Sequence, residues 1–343
     1  MIPYVILVLL LLFYSNRKNY IAIMVILTVF AVVRYDVGWD YMTYYNIAKD
    51  PETTIDYQRF SFVWKALFMF AHITGLLTLP MVVTSFLTCI IGFYGIYLLL
   101  DGQREKICDA LLIYAFWPFF YLGELTIIRQ GLAVSIALLM YGYIRRKQYK
   151  VSCFLFLFNL LIHPSSVVTL IMFPILINNY QFKFKSILVS VVLGVASISL
   201  IKIAISYVGI YAHYLEMEAD FGGMLSFLLL GMGLWMFLSM YIGKTKGLSV
   251  DGLGLVIIAL ILESVIYLLG LPSVFSRPLM YFSILLIVVY TDMVEMISPL
   301  YRRLSIMMLV LLVLWYLNHS QISSQELSVN GYVPYKTLFE LLF

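Results

Sequence analysis

Charge is scarce in this sequence. Asp, Glu, Lys and Arg supply 12% of its 343 residues, where a soluble domain carries about 25%. The net charge of +4 is small and lies mostly in short segments between apolar runs, so it gives no hint of nucleic acid. Cysteine is rarer still. Cys89, Cys108 and Cys153 stand apart, with no CxxC pair and no Cys/His cluster, so neither a disulfide framework nor a zinc site is indicated. There is no P-loop, no GxSxG and no HExxH. Internal repeats of the kind found in inverted-repeat transporters are also missing, and Asp36 and Asp40 are too weak a signal for a metal site.

What remains is apolar: 63% hydrophobic residues and a mean hydropathy of +0.98. At about 20 residues per span, the length accommodates roughly a dozen spans joined by short loops. The predicted fold is all-α: one polytopic transmembrane helical bundle over residues 1–343, with about 11–13 spans. Candidate spans are 2–14, 19–33, 77–99, 109–122, 127–144, 151–163, 164–178, 186–206, 224–243, 250–270, 278–297 and 304–318. Residues 1–14 lack a basic leader and a small-residue cleavage site, and are expected to stay as a first span.

Basic loops set the orientation. Arg17–Lys18, Arg104/Lys106, Arg145–Lys147, Lys183/Lys185, Lys244/Lys246 and Arg302–Arg303 are expected on the cytoplasmic side. The loops 34–60, 121–127, 163–164, 207–223 and 271–277, with the tail 319–343, then face outward. Phe60–Gly75 breaks the alternation and carries Lys65 at its centre. It reads as an amphipathic or half-inserted helix on the outer face; a true span with Lys65 in a cavity is the alternative. The segment GYVPYKTLFELLF (Gly331–Phe343) reads as an interfacial segment packed back on the bundle.

Polar residues cluster in a few outer-face places. Arg34-Tyr-Asp-Val-Gly-Trp-Asp-Tyr41, with Tyr44 and Tyr45, follows a span directly. Snorkelling and interfacial aromatics explain Arg34, Tyr35 and Trp39, but not Asp36 and Asp40 beside a glycine turn, which suit a site wall. Arg129, beside Gln130, opens a span just inside the outer boundary, where ionisable residues are functional candidates. Glu124 is five positions away, outside ideal helical pairing. His163-Pro-Ser-Ser166 is a break where a neutral imidazole could act as general base. Arg277 and Tyr281 are spaced to share a helix face if the helix begins by Arg277. Positive-inside bias disfavours these three arginines on the outer side, and guanidinium forks suit phosphate oxygens. A diphosphate at the outer surface would explain Arg34, Arg129 and Arg277 together. The loop Tyr211–Asp220 is a solvated acidic loop or a sugar-binding lid, and Lys202 and Glu263 pair or snorkel within the membrane.

RYDVGWDYMTYY (Arg34–Tyr45) resembles the Arg-x-x-x-Gly-x-Asp-Tyr signature of the EpsG family, Wzy-like bacterial polymerases of exopolysaccharide and O-antigen repeat units. IRQGLAVSIAL, IHPSS and RPLMYF followed by VPYK are similar to that family in the same order, over residues 30–338. One departure is YQRFSFVWKAL, which has Gln58 and Arg59 where the family usually has a Glu. The resemblance implies a glycosyltransferase of the bacterial inner membrane with its active site on the periplasmic face. It would join undecaprenyl-diphosphate-linked oligosaccharides, with undecaprenyl diphosphate as leaving group, and needs no nucleotide sugar, cofactor or metal. Arg129 and Arg277, supported by Arg34, would hold the diphosphate, and His163 or Asp40 would deprotonate the acceptor hydroxyl. Tyr41, Trp39 and the 211–220 loop would line the sugar groove, with Asp36, Gln130 and Tyr281 completing the substrate-binding set. Membrane lipid, a chain-length co-polymerase and a flippase are the implied partners.

Other classes stay open at this point. An O-antigen ligase would use the same donor. A flippase would carry charges deep in many spans, whereas only Lys202 and Glu263 lie deep here. A membrane acyltransferase would want a carboxylate near His163.

Overall fold

The structure is a computed structural model describing residues 1–51, 57–58, 60–178, 183–208, 223–241, 253–271, 275–295, 299–327 and 331–341. It is all-helical apart from one short strand pair. Contacts divide the chain into a unit of Met1–Val167 with Val294–Phe343, and a second of Val168–Met293.

The first unit opens with α1 (Ile2–Asn16) and α2 (Tyr20–Val32), the latter started by Asn19, whose side chain accepts the Ala22 N–H at 3.1 Å. Strand β1 (Arg34–Tyr35) and α3 (Tyr41–Lys49) follow. Next comes α4 (Phe62–Thr74), closed by Gly75 in the left-handed conformation (φ +71°), where a side chain would be strained. Helices α5 (Leu79–Leu99), α6 (Arg104–Phe116), α7 (Tyr121–Thr126), α8 (Ile128–Arg145) and α9 (Tyr149–Ile162) complete the run. The predicted span 109–122 is thus interrupted: α6 ends at Phe116 ahead of Pro118, and a fresh turn begins at Tyr121.

The centre of this unit is the α5–α8 contact, made close by small residues. A Cβ on Gly95 would lie 2.8 Å from the Leu139 backbone nitrogen, and one on Gly92 would lie 2.9 Å from Ser135 Oγ. Small residues let apolar helices approach in this way when lipid surrounds them. α2 packs on α5 and α6, and α9 on α8. At 21 residues α5 is about 31 Å long, enough for a bilayer core of about 30 Å. Among the described residues it alone is long and apolar enough to cross by itself.

Within Phe60–Gly75 the helix covers 13 residues and is about 20 Å long. It buries Trp64, Phe68 and Ala71 and leaves Phe62, Phe70 and Ile73 uncovered. Lys65 is half-buried, with its ammonium 5.6 Å from the centre of the Tyr57 ring.

The second unit holds a 3-10 stretch running on from Pro164–Ile171, then α10 (Met172–Ile177), α11 (Phe184–Val208), α12 (Gly223–Tyr241), α13 (Leu253–Leu268), α14 (Met280–Ser283) and α15 (Leu286–Glu295). α12 and α11 pack against α13, where Ser264 Oγ donates to the Ser226 carbonyl at 2.9 Å. The chain re-enters the first unit through α16 (Pro299–Leu327), which packs on α6. Residues 331–341 then return to the signature, with β2 (Lys336–Thr337) pairing antiparallel to β1.

Candidate functional site

Helices of the first unit run up and down between two ends of opposite character. At one end the basic loops find partners. Lys18 pairs with Glu105, Arg146 with Asp101 at 3.5 Å and Arg302 with Asp109 at 2.6 Å, while Arg145 Nη1 donates to the Leu99 carbonyl at 2.8 Å. The other end gathers Arg34–Tyr45, Phe60–Trp64, α7, the start of α8, His163 and residues 331–338.

The signature loop is fixed from three sides. Gly38 has φ +96°, and a Cβ there would meet the Leu125 carbonyl oxygen at 2.8 Å, so only glycine lets the loop lie on α7. Gly38 N–H donates to the Gly331 carbonyl at 3.0 Å, and Leu338 N–H to the Val33 carbonyl at 2.8 Å. Lys336 Nζ meets Asp36 at 2.7 Å. Tyr335 stacks on Phe30 with ring centres 4.1 Å apart and donates to the Phe30 carbonyl. Tyr332 is buried: its hydroxyl accepts from Thr126 Oγ1 at 2.5 Å and donates to the Leu122 carbonyl at 3.2 Å, while its carbonyl accepts from Tyr4 at 2.6 Å. Residues 331–338 thus tie the signature to α7.

Arg129 sits half-buried in the first turn of α8. Its Nε donates to the Tyr44 hydroxyl at 2.8 Å, and its guanidinium carbon lies 4.1 Å from the centre of the Phe60 ring. It pairs with no carboxylate among the described residues. Tyr44 is itself held among Phe60, Trp64 and Phe68. Asp40 lies half-buried just before α3, one helical turn ahead of Tyr44, whose N–H bonds the Asp40 carbonyl at 3.0 Å. Trp39 is half-buried beside it, and Gln130 is buried.

His163 ends α9 in extended backbone, as expected before a 3-10 turn opened by proline. Ser61 Oγ donates to the Leu161 carbonyl at 2.6 Å and Trp64 Nε1 to the Ile162 carbonyl at 3.0 Å, satisfying carbonyls left open at the helix end. One short segment, Phe60–Trp64, therefore touches Arg129 at its start and the residues before His163 at its end. Ser165 Oγ is 2.6 Å from His163 Nδ1, and the Ser165 N–H donates to the same nitrogen at 3.3 Å. A backbone N–H can only donate, so Nδ1 accepts and the neutral ring carries its proton on Nε2.

Two charged residues occupy positions that the sequence reading did not give them. Arg34, expected at the surface, is 1% exposed; its Nε and Nη1 meet no hydrogen-bond partner among the described residues, and Tyr41 lies over it at 5.7 Å. The Tyr41 hydroxyl is likewise buried with no such partner. Glu124, read only through its spacing to Arg129, is carried on the separate helix α7 and turned inward. It accepts from Tyr114 and, at 3.4 Å, from Ser135, and its Oε1 meets no partner among the described residues. Burial raises its carboxyl from 4.5 to about 8. Gly131 makes the inward turn possible, since a Cβ there would sit 2.6 Å from the Glu124 carbonyl oxygen.

In the second unit Arg277 opens a 3-10 turn (Arg277–Leu279), so the expected α-helical face shared with Tyr281 gives way to a tighter turn before α14. Arg277 is half-buried and Tyr281 fully buried. The loop 211–220, Lys244/Lys246 and Arg59 lie outside the described residues.

Fold and site together define an all-helical membrane protein with a polar, arginine-bearing end on its first unit. The chain belongs to the EpsG family, whose family model matches residues 4–337. No curated protein and no solved structure matches it.

Proposed function

We propose that the protein is a Wzy-like polysaccharide polymerase, joining undecaprenyl-diphosphate-linked repeat units at the periplasmic face of the bacterial inner membrane. The observation that carries this reading is Arg129: positioned by Tyr44 and Phe60, without a carboxylate among the described residues, at the end of the first unit opposite the ion-paired basic loops. With those loops cytoplasmic by the positive-inside rule, Arg129 faces the periplasm. The polytopic arrangement, with the shorter helices crossing beside α5, belongs to the same reading.

The chemistry follows from the groups at that end. The acceptor hydroxyl oxygen attacks the anomeric carbon of the donor glycan, the bond from that carbon to the diphosphate oxygen breaks, and the electron pair leaves with undecaprenyl diphosphate. Arg129 stabilises the charge that develops there. Asp40, one turn from the tyrosine that holds Arg129, takes the hydroxyl proton. His163, with its proton on Nε2, suits donation to a diphosphate oxygen better than proton abstraction. Trp39 belongs to the sugar-facing side of the signature, whereas Tyr41, Asp36 and Gln130 are buried and back that surface instead of lining it. Arg34 lies beneath this surface and acts from inside it. A chain-length co-polymerase and a flippase are its proposed working partners.

The test is a gel of lipid-linked glycan from cells lacking the gene, complemented with wild type or with Arg129→Ala. Accumulation of a single repeat unit, a ladder restored by wild type and no ladder from Arg129→Ala are expected. A ladder in the null strain would overturn the polymerase reading and bring the ligase or flippase forward.

A further inference from the structure

Two apolar stripes meet beside the polar end of the first unit. On α4, Phe62, Ala66, Phe70 and Ile73 recur at helical spacing and are uncovered, with Phe62 68% and Ile73 75% exposed. On α9, Phe154, Leu157, Phe158 and Leu161 do the same. The Ser61–Leu161 and Trp64–Ile162 bonds pin the head of α4 to the end of α9, so the stripes converge near Phe62 and Leu161. Beyond that junction the chemistry changes within a few residues: Phe60 lies under Arg129, and His163 follows Ile162.

We propose that the crease between α4 and α9 receives the polyprenyl chain of the lipid-linked glycan, delivering its diphosphate to Arg129. This rests on the polymerase reading and adds the route by which its lipid substrate docks. An apolar track ending in an arginine without a carboxylate among the described residues fits a long hydrocarbon chain with an anionic head. With its mouth beside Phe60 and Arg129, the crease lets a lipid slide in from the side without leaving the bilayer. The bilayer already excludes water, so moving the hydrocarbon chain from lipid into the crease gains nothing from the hydrophobic effect. Selection therefore comes from the shape of the crease together with the guanidinium at its end.

The experiment places a photoreactive benzophenone amino acid at Phe62, at Phe158 or, as a control on another uncovered face, at Leu9, in full-length protein in nanodiscs. The probe is radiolabelled undecaprenyl diphosphate, with unlabelled undecaprenyl diphosphate or phosphatidylglycerol as competitor. The expected result is labelling at Phe62 and Phe158 several-fold above Leu9, abolished by undecaprenyl diphosphate and untouched by phosphatidylglycerol. Labelling no higher than at Leu9, or competed equally by phosphatidylglycerol, would mean that ordinary bilayer lipid fills the crease and would overturn the proposal. If the same samples still bind undecaprenyl diphosphate saturably, the polymerase reading survives that loss; absence of saturable binding anywhere on the protein would count against both.

Discussion

Lys336 meets Asp36 at 2.7 Å, joining segments 300 positions apart in the sequence. The carboxylate is nearly buried and held at positive φ (+51°), while the ammonium is about one-third exposed. Asp36→Ala and Lys336→Ala should each lower Tm in detergent, and a double-mutant cycle should return a coupling of about 1 kcal/mol, as for a partly screened pair. Additive single effects would show that β1 and β2 are held by their backbone alone.

Arg129 is expected to act through its fork as well as its charge. Arg129→Lys keeps the charge but loses the planar donor set that reaches both Tyr44 and a phosphate oxygen. Polymer formation should fall on the order of 100-fold while the circular dichroism of the purified protein stays unchanged. Tyr44→Phe, which removes only the positioning bond, should cost less. Equal activity of Arg129→Lys and wild type would sink the clamp.

Glu124 makes stability depend on pH. Its carboxyl is raised from 4.5 to about 8 by burial, so between those values the folded protein holds a proton that the unfolded chain has released. That contribution is complete below about pH 4.5 and fades as pH rises toward 8. Tm should therefore fall across this window, and Glu124→Gln, which stays neutral, should flatten the profile. An unchanged profile would mean that other groups set it.

Gly131 tests the contact that lets α7 turn inward. Gly131→Ala would place a methyl 2.6 Å from the Glu124 carbonyl oxygen. Overpacking of this kind costs typically about 1–3 kcal/mol, to be read as a lower Tm. Gly75→Ala offers a comparison: its Cβ would meet nothing within 4 Å, so any loss there comes from backbone strain alone.

The helices of the first unit were legible because long apolar runs between basic loops leave few alternatives. α1, α2, α5, α8 and α9 begin and end close to the expected limits, and the break at His163–Pro164 is where proline demands one. Much of the site was hidden for physical reasons. A two-residue strand has no period, so the pairing of Arg34–Tyr35 with Lys336–Thr337 left no trace beyond the motif VPYK. The inward turn of Glu124 depends on Tyr114 and Ser135, residues of two other helices, and spacing along one chain cannot report such a meeting. Arg34 illustrates the reverse error, since its place after a span suggested snorkelling while the fold closes Tyr41 over it.

The strap formed by residues 331–338 also has a consequence in time. A ribosome delivers Arg34–Tyr41 to the membrane long before Gly331–Lys336 exists, so the signature must wait for its strand partner and for Lys336. The polar end of the first unit is thus among the last parts to be assembled, and a chain stalled ahead of Gly331 lacks the strap that ties the signature to α7. Under the proposed function, late completion of this kind would keep half-made protein from acting on lipid-linked glycan during its own synthesis.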